Sequence, residues 1–295
     1  MQSINAASRT TRPREPLPRE RVIIQAARVL ALCVTLGVMI AATGTAQAQR
    51  RRMAGPPPTG EKGALIDLTG YWVAIVDQDW RWRMLTAPVG DTSSIPVNPQ
   101  GQRLANAWDW HEQLADGQQC AAYGAAGLMR VPERLYIHWA DEQTLEIDTD
   151  AGMQQRLLHF QPVSGTIEPS LQGYSDASWF KEYQKAGFGP PFGGPVPGKG
   201  GSLKVITTHM TPGYLRSNGV PYSADARLIE YFDRVEDEGS SYLVLTSVVQ
   251  DPTYLNDQYV TSYEFKLEAD GSKWNPQPCR VAAPNSKARP ANPFG

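Results

Sequence analysis

Between residues 134 and 267 the chain keeps returning to one pattern: a short stretch in which apolar and polar residues alternate, then a turn. Alternation at period two gives a strand one buried and one solvated face. Leu135, Ile137 and Trp139 fall opposite Tyr136 and His138, and Leu145 and Ile147 fall opposite Glu146 and Asp148. Asp141-Glu142 and Asp150-Ala151-Gly152 punctuate these stretches and lead into a third at 153–160, a meander with tight connections. Four further strands are expected at 203–210, 227–235, 242–250 and 259–267, with turns at 216–221 and 237–239. Upstream, 66–84 reads as the first strand, with Trp80, Trp82 and Met84 on one face and Arg81 and Arg83 on the other. One helix is expected after Asn98, which caps it, with Pro99 at its first position and Leu104, Ala107, Trp108 and Leu114 recurring up to Gly117. The fold class is therefore all-β, an antiparallel β-barrel with one or two short helices.

The N-terminal region has its own logic. Residues 29–42 are uncharged, Arg28 precedes them, and Ala46-Gln47-Ala48 follows as a small-x-small site. That is the layout of a secretory signal, expected to be cleaved after Ala48. No adjacent Arg pair precedes the apolar run, so a general secretion signal is expected rather than a twin-arginine one. The domain plan is a signal peptide at 1–48, a disordered linker rich in Pro and Gly at 49–64, a single β-barrel domain at 65–283 and a disordered tail at 284–295. The expected location is the periplasm or the outside of the cell, with membrane contact only through the signal segment.

Charge and cysteines agree with export. The formal charge is −2, and six arginines lie within the first 48 residues, so the rest is more acidic. An acidic protein has no electrostatic drive toward nucleic acid or anionic lipid. Cys120 and Cys279 alone lie beyond the signal. In an oxidising compartment they are expected to form one disulfide, joining the start of the fold to its end.

Some of these residues resemble known families. Gly70-Tyr71-Trp72 resembles the Gly-x-Trp signature that opens the first strand of lipocalins. Thr207-Thr208-His209-Met210, Asn218-Gly219-Val220-Pro221-Tyr222-Ser223 and Glu230-Tyr231-Phe232-Asp233-Arg234 resemble a widespread family of uncharacterised secreted bacterial proteins. In that family a Gly-Tyr-Ser-x-x-Ser-Trp element, here Gly173 to Trp179, precedes a strand ending in Thr-Thr. The resemblance covers roughly 66–280 and implies an exported, lipocalin-like β-barrel without implying an activity.

Few groups stand out as chemical. His209 follows Leu203, Val205 and Thr207 on one face, which would aim it at a polar barrel mouth. Glu230 and Asp233 lie on opposite faces of the next strand, so one of them could join His209 as an acid–base pair. That pair would support a metal-independent lyase or isomerase. Trp80, Trp82, Tyr214 and Tyr254 offer apolar ligand surface, and Arg216 a cationic end. His138, His159, Glu146 and Asp148 lie on one meander, but their spacing matches no ligand motif, so no metal and no cofactor are expected. The loop at 188–201, dense in Pro and Gly, is a candidate contact surface. No Gly-x-Ser-x-Gly elbow, phosphate loop, dinucleotide fingerprint or His-Glu-x-x-His is present. The leading expectation is an exported barrel that binds a small, partly apolar molecule in its hollow. The oligomeric state is not legible.

Overall fold

The computed structural model describes residues 58–181 and 201–285, together with the backbone of a short ladder between Tyr183–Gln184 and Val196–Pro197. The expected signal peptide, the linker up to residue 57, most of the 188–201 loop and the tail from 286 on lie outside the described residues.

Nine strands close into a barrel. They are β1 (Gly70–Ile75), β2 (Arg134–Asp141), β3 (Thr144–Thr149), β4 (Gln155–His159), β5 (Tyr174–Phe180), β6 (Ser202–Thr208), β7 (Arg227–Asp237), β8 (Ser240–Gln250) and β9 (Tyr259–Leu267). Each pairs with the next in the chain, and β9 returns to β1 through Trp72↔Leu267 and Ala74↔Phe265. Full closure leaves the sheet no edge. An odd number of strands alternating all the way round would bring β9 beside β1 running the same way. One parallel seam, β4 to β5, removes that conflict and lets β9 and β1 meet antiparallel. A parallel pair cannot be joined by a hairpin, and residues 160–173 supply the long return. The return enters β5 through Gly173 at φ +61, where a Cβ would lie 2.4 Å from the carbonyl oxygen of Thr208.

The inner faces follow the alternation. Trp72, Ile137, Leu145, Leu203, Phe232 and Phe265 are each 1% exposed or less and belong to one continuous apolar cluster. Packed side chains therefore fill the space that the sequence suggests would be a hollow.

The two ends are closed differently. At one end the chain before β1 folds over the opening. A 3-10 turn at Gly60–Gly63 accepts a hydrogen bond from Trp179 Nε1 at the carbonyl of Gly60 (2.8 Å), and Trp72 Nε1 donates to the carbonyl of Leu68 (2.9 Å). Residues 58–64, expected as linker, are thus part of the fold.

At the other end sits a cap. Its helices are α1 (Trp80–Met84), α2 (Pro99–Ala107), α3 (Trp110–Ala115) and α4 (Ala125–Leu128), joined by a hairpin of Gly213–Arg216 and Val220–Tyr222. The cap has its own apolar core of Ala105, Met210, Leu215, Val220 and Tyr222, which meets the barrel at Leu228, Val249 and Tyr259. The Cys120–Cys279 disulfide spans 159 residues, beside a short parallel ladder of Ala151–Gly152 and Gln277–Pro278.

Two expectations need correction. The described helices number four rather than one or two. The predicted helix from 98 to 117 starts as read, with Asn98 Oδ1 accepting from the amides of Gln100 and Gly101 at 2.9 Å. It then breaks at the extended Trp108, and Asp109 caps a second helix through His111 N. The stretch 80–84 is α1, not a strand. Asp79 adopts a left-handed conformation (φ 46°) that ends extended structure, and five alternating residues are too few to separate a strand from a turn of helix. Trp82 is consequently buried, while Trp80 is 61% exposed.

Candidate functional site

Charge on an apolar face marks the capped end of the barrel. Arg156 shares the inner face of β4 with Leu158, Glu230 that of β7 with Leu228 and Phe232, and Glu133 precedes Leu135 and Ile137 in phase. All three are at least 95% buried. Arg156 and Glu230 form a two-pronged ion pair across the barrel, Nη2 to Oε2 at 2.6 Å and Nη1 to Oε1 at 3.1 Å. The hydroxyls of Ser175 and Thr207, 2.8 Å apart, lie against it. Glu133 has no such partner, for neither carboxyl oxygen finds a hydrogen bond. Burial, reinforced by Asp150, lifts its pKa well above the carboxylate range despite Arg83 and Arg156 nearby.

Above this layer three buried arginines converge on one cleft. Arg83 comes from α1, Arg130 from the turn after α4 and Arg216 from the cap hairpin. Arg280 adds an exposed guanidinium at the rim. The cleft measures about 480 Å3, and its apolar wall includes Trp82, Leu85, Pro132 and Leu215. Removing a guanidinium from water costs several kcal/mol unless it is paired, so each partner matters. Arg130 pairs with Asp79. Arg216 pairs with Asp91 at 3.3 Å and donates to Asn218 Oδ1 at 3.0 Å. Arg83 donates only to carbonyls, those of Arg130 (2.9 Å) and Ile75 (3.1 Å), and its Nη2 is buried without a partner. Its guanidinium also lies over the ring of Tyr263 at 5.3 Å.

The electrostatics follow from that arrangement. Burial, with Arg130 adding to it, lowers the pKa of both Arg83 and Arg216. Burial also works against Arg130, but the charges around it, the Asp79 carboxylate among them, outweigh it and hold its proton more tightly. Burial lifts Tyr259 to about 12, so it stays a neutral phenol. Around the cleft, four guanidiniums meet the carboxylates of Asp77, Asp79 and Asp91, which leaves positive charge in excess in a partly apolar recess.

A larger cleft of about 640 Å3 lies across the cap hairpin. Tyr214 faces this cleft, while the next two residues, Leu215 and Arg216, face the arginine cleft. Trp108, Tyr214, Tyr222 and Tyr254 give it an aromatic lining, and Asp109, Glu112 and Asp116 sit exposed at its rim.

The residues singled out in the sequence are dispersed by this geometry. Trp82 and Arg216 share the arginine cleft, Tyr214 and Tyr254 share the aromatic one, and Trp80 lines only a small surface notch. The acid–base pair is not assembled. His209 adopts φ +57, which ends the alternation of β6 and turns the ring outward, where Nδ1 meets the hydroxyl of Thr208 at 2.9 Å. Glu230 faces inward but is taken by Arg156, and Asp233 faces outward and accepts from Ser202. On the meander, His159 stacks on Tyr174, while His138, Glu146 and Asp148 come together.

No family model matches the chain, and neither a characterised protein nor a solved structure does. The arginine cleft therefore has to be read from its own chemistry.

Arg83, Arg130, Arg156 and Glu133 are absent from the sequence-based candidates. For Arg156, Glu133 and Glu230 the signal is present in the text, a charge in phase with apolar residues on a strand. For Arg83 the alternation at 80–84 points the wrong way, because it places Arg83 on a solvated strand face.

Proposed function

We propose that this protein is an exported binding protein whose ligand is a small, partly apolar anion held in the arginine cleft of the barrel cap. One observation carries the reading: Arg83, whose Nη2 is buried without a partner, lines a cleft together with three other arginines. A carboxylate or phosphate presents the planar or tripodal oxygens that a guanidinium fork matches. The apolar wall suits a hydrocarbon or ring behind that head group. The aromatic cleft is larger, but its acids are solvated and ask for no ligand. Export rests on the apolar run at 29–42 and on the Cys120–Cys279 disulfide, which belongs to oxidising compartments. Among the described residues no helix is long and apolar enough to cross a membrane.

Trp82 lines the cleft, with Arg81 stacked over its ring at 4.6 Å, so its fluorescence is the natural reporter. Titration with medium-chain alkyl carboxylates and alkyl phosphates is expected to give a saturable change that weakens with salt, and alkyl ammonium ions none. Arg83→Met should abolish it, and Arg280→Ala, at an exposed site, should weaken it without disturbing the fold. Equal response to cations and anions, or anion binding that both variants retain, would overturn the proposal.

A further inference from the structure

The outer wall of the barrel carries a second polar cluster, independent of the cap. His138 on β2 stands directly across from Glu146 on β3, and Asp148 sits one outward position farther along that strand. Alternation places all three on the outer face, where nearby charges are ordinarily met by lysine or arginine. Among the described residues, neither Glu146 nor Asp148 has an ion pair with a lysine or arginine. Instead the imidazole lies between the two carboxylates, with Nε2 3.9 Å from Glu146 Oε2 and Nδ1 3.9 Å from Asp148 Oδ2. Those gaps are too long for hydrogen bonds. The Nδ1 of His138 is moreover shut off from water with no partner.

The surroundings hold these groups in place. The His138 ring stacks on Tyr136 (4.6 Å between centroids, 14° between planes), and Tyr136 stacks on Tyr71 (4.4 Å). Gln155, on the neighbouring strand, donates to Glu146 Oε1, while Glu146 Oε2 is the oxygen that faces the imidazole. One ligand atom from each of the three residues lies within 4.8 Å of the other two. Metal–ligand bonds of about 2.0 to 2.2 Å bring donor atoms to roughly 3 to 3.5 Å from one another. Side-chain rotation of about an ångström on a surface site covers that difference.

We propose that His138, Glu146 and Asp148 form a binding site for a divalent transition-metal ion. One imidazole and two carboxylates suit borderline ions such as Zn2+ or Co2+. Three protein ligands on an open wall leave the remaining coordination positions to water. Gln155 acts as a positioning residue on Glu146, the kind of outer support whose loss weakens metal affinity.

The test uses untagged full-length protein stripped with a chelator. Zn2+ is followed by calorimetry and Co2+ by its visible d–d absorption. The expected result is saturable 1:1 uptake, lost in His138→Ala and in Glu146→Gln with Asp148→Asn. Gln155→Ala should weaken uptake by about 10- to 100-fold. His138→Ala should leave anion binding in the cap unchanged, which separates this site from the cleft. Absence of 1:1 uptake below about 1 mM metal, or uptake of equal affinity in the His138 and carboxylate variants, would overturn the proposal.

Discussion

The two ends of the barrel are built from the same strands and follow opposite rules. At the end closed by residues 58–69, the interior is Trp72, Leu145, Leu203 and Phe265, and the indole nitrogens of Trp72 and Trp179 both reach backbone carbonyls. At the capped end, the same inward phase brings Arg156, Glu230 and Glu133, and polar atoms of Glu133, Arg83 and Arg156 are left without partners. Apolar burial stabilises a fold with little demand on geometry. A buried charge carries a desolvation cost of several kcal/mol that even good pairing does little more than offset. The first end is organised for stability. The second keeps groups that a purely structural core would replace, and that contrast supports the proposed binding site there.

The sharpest way to break the comparison is at the Arg156–Glu230 pair. Arg156→Met alone leaves Glu230 charged and buried, and is expected to lose about 3 to 5 kcal/mol in urea unfolding. The double change Arg156→Met with Glu230→Leu should recover that loss or exceed wild type by about 1 to 4 kcal/mol. Should the double variant remain as unstable as the single one, the pair is a structural necessity and the contrast between the ends fails.

Replacing Cys120 and Cys279 by serine is expected to cost about 2 to 5 kcal/mol, because a long loop is released in the unfolded chain. The loosening should be greater in the cap than around residues 58–69, as read by hydrogen exchange. Leu203→Ala, in the apolar core, should cost about 2 to 5 kcal/mol as a cavity opens, while leaving ligand affinity in the cap intact. A loss of binding equal to the loss of stability would mean that the two ends are not separable.

The smallest effect concerns Glu133. Its folded pKa lies well above the ordinary 4.5, so the folded protein binds more protons than the unfolded chain between those two values. Stability contributed by that proton is complete below the unfolded pKa and is lost as pH rises through the folded one. Wild type should therefore weaken more than Glu133→Gln does as pH rises above the ordinary carboxylate range, and the variant should be the more stable once the buried carboxyl loses its proton. A variant that is less stable at every pH would show that the carboxyl group is needed for its shape.

Most of the barrel was legible in the sequence because period two is a backbone rule. Leu135 and Ile137, Leu145 and Ile147, and Leu243 and Leu245 are buried as their alternation requires. The parallel β4–β5 seam was not legible, since neither strand carries a mark of which way its neighbour runs. The disulfide followed from counting two cysteines beyond the expected signal segment. The site was harder to read. His209 stands in perfect phase with Thr207, and only its left-handed backbone, beside the parallel bridge between Ser170 and Met210, rotates it out to water. The cleft gathers Arg83, Arg130, Arg216 and Arg280 from segments far apart in the chain, and no local pattern links them. The charges inside the barrel were visible as misplaced letters on apolar faces, and that signal pointed closer to the arginine cleft than the histidine did.

The central claim is that the capped end keeps unpaired positive charge for an anionic ligand. Thermal unfolding of wild type and Arg83→Met with rising concentrations of an alkyl phosphate tests it most directly. Wild type should be stabilised in a saturable way, by about 2.7 kcal/mol at a hundred times the dissociation constant, and the variant not at all. Equal stabilisation of both proteins, or none of either, would contradict the account.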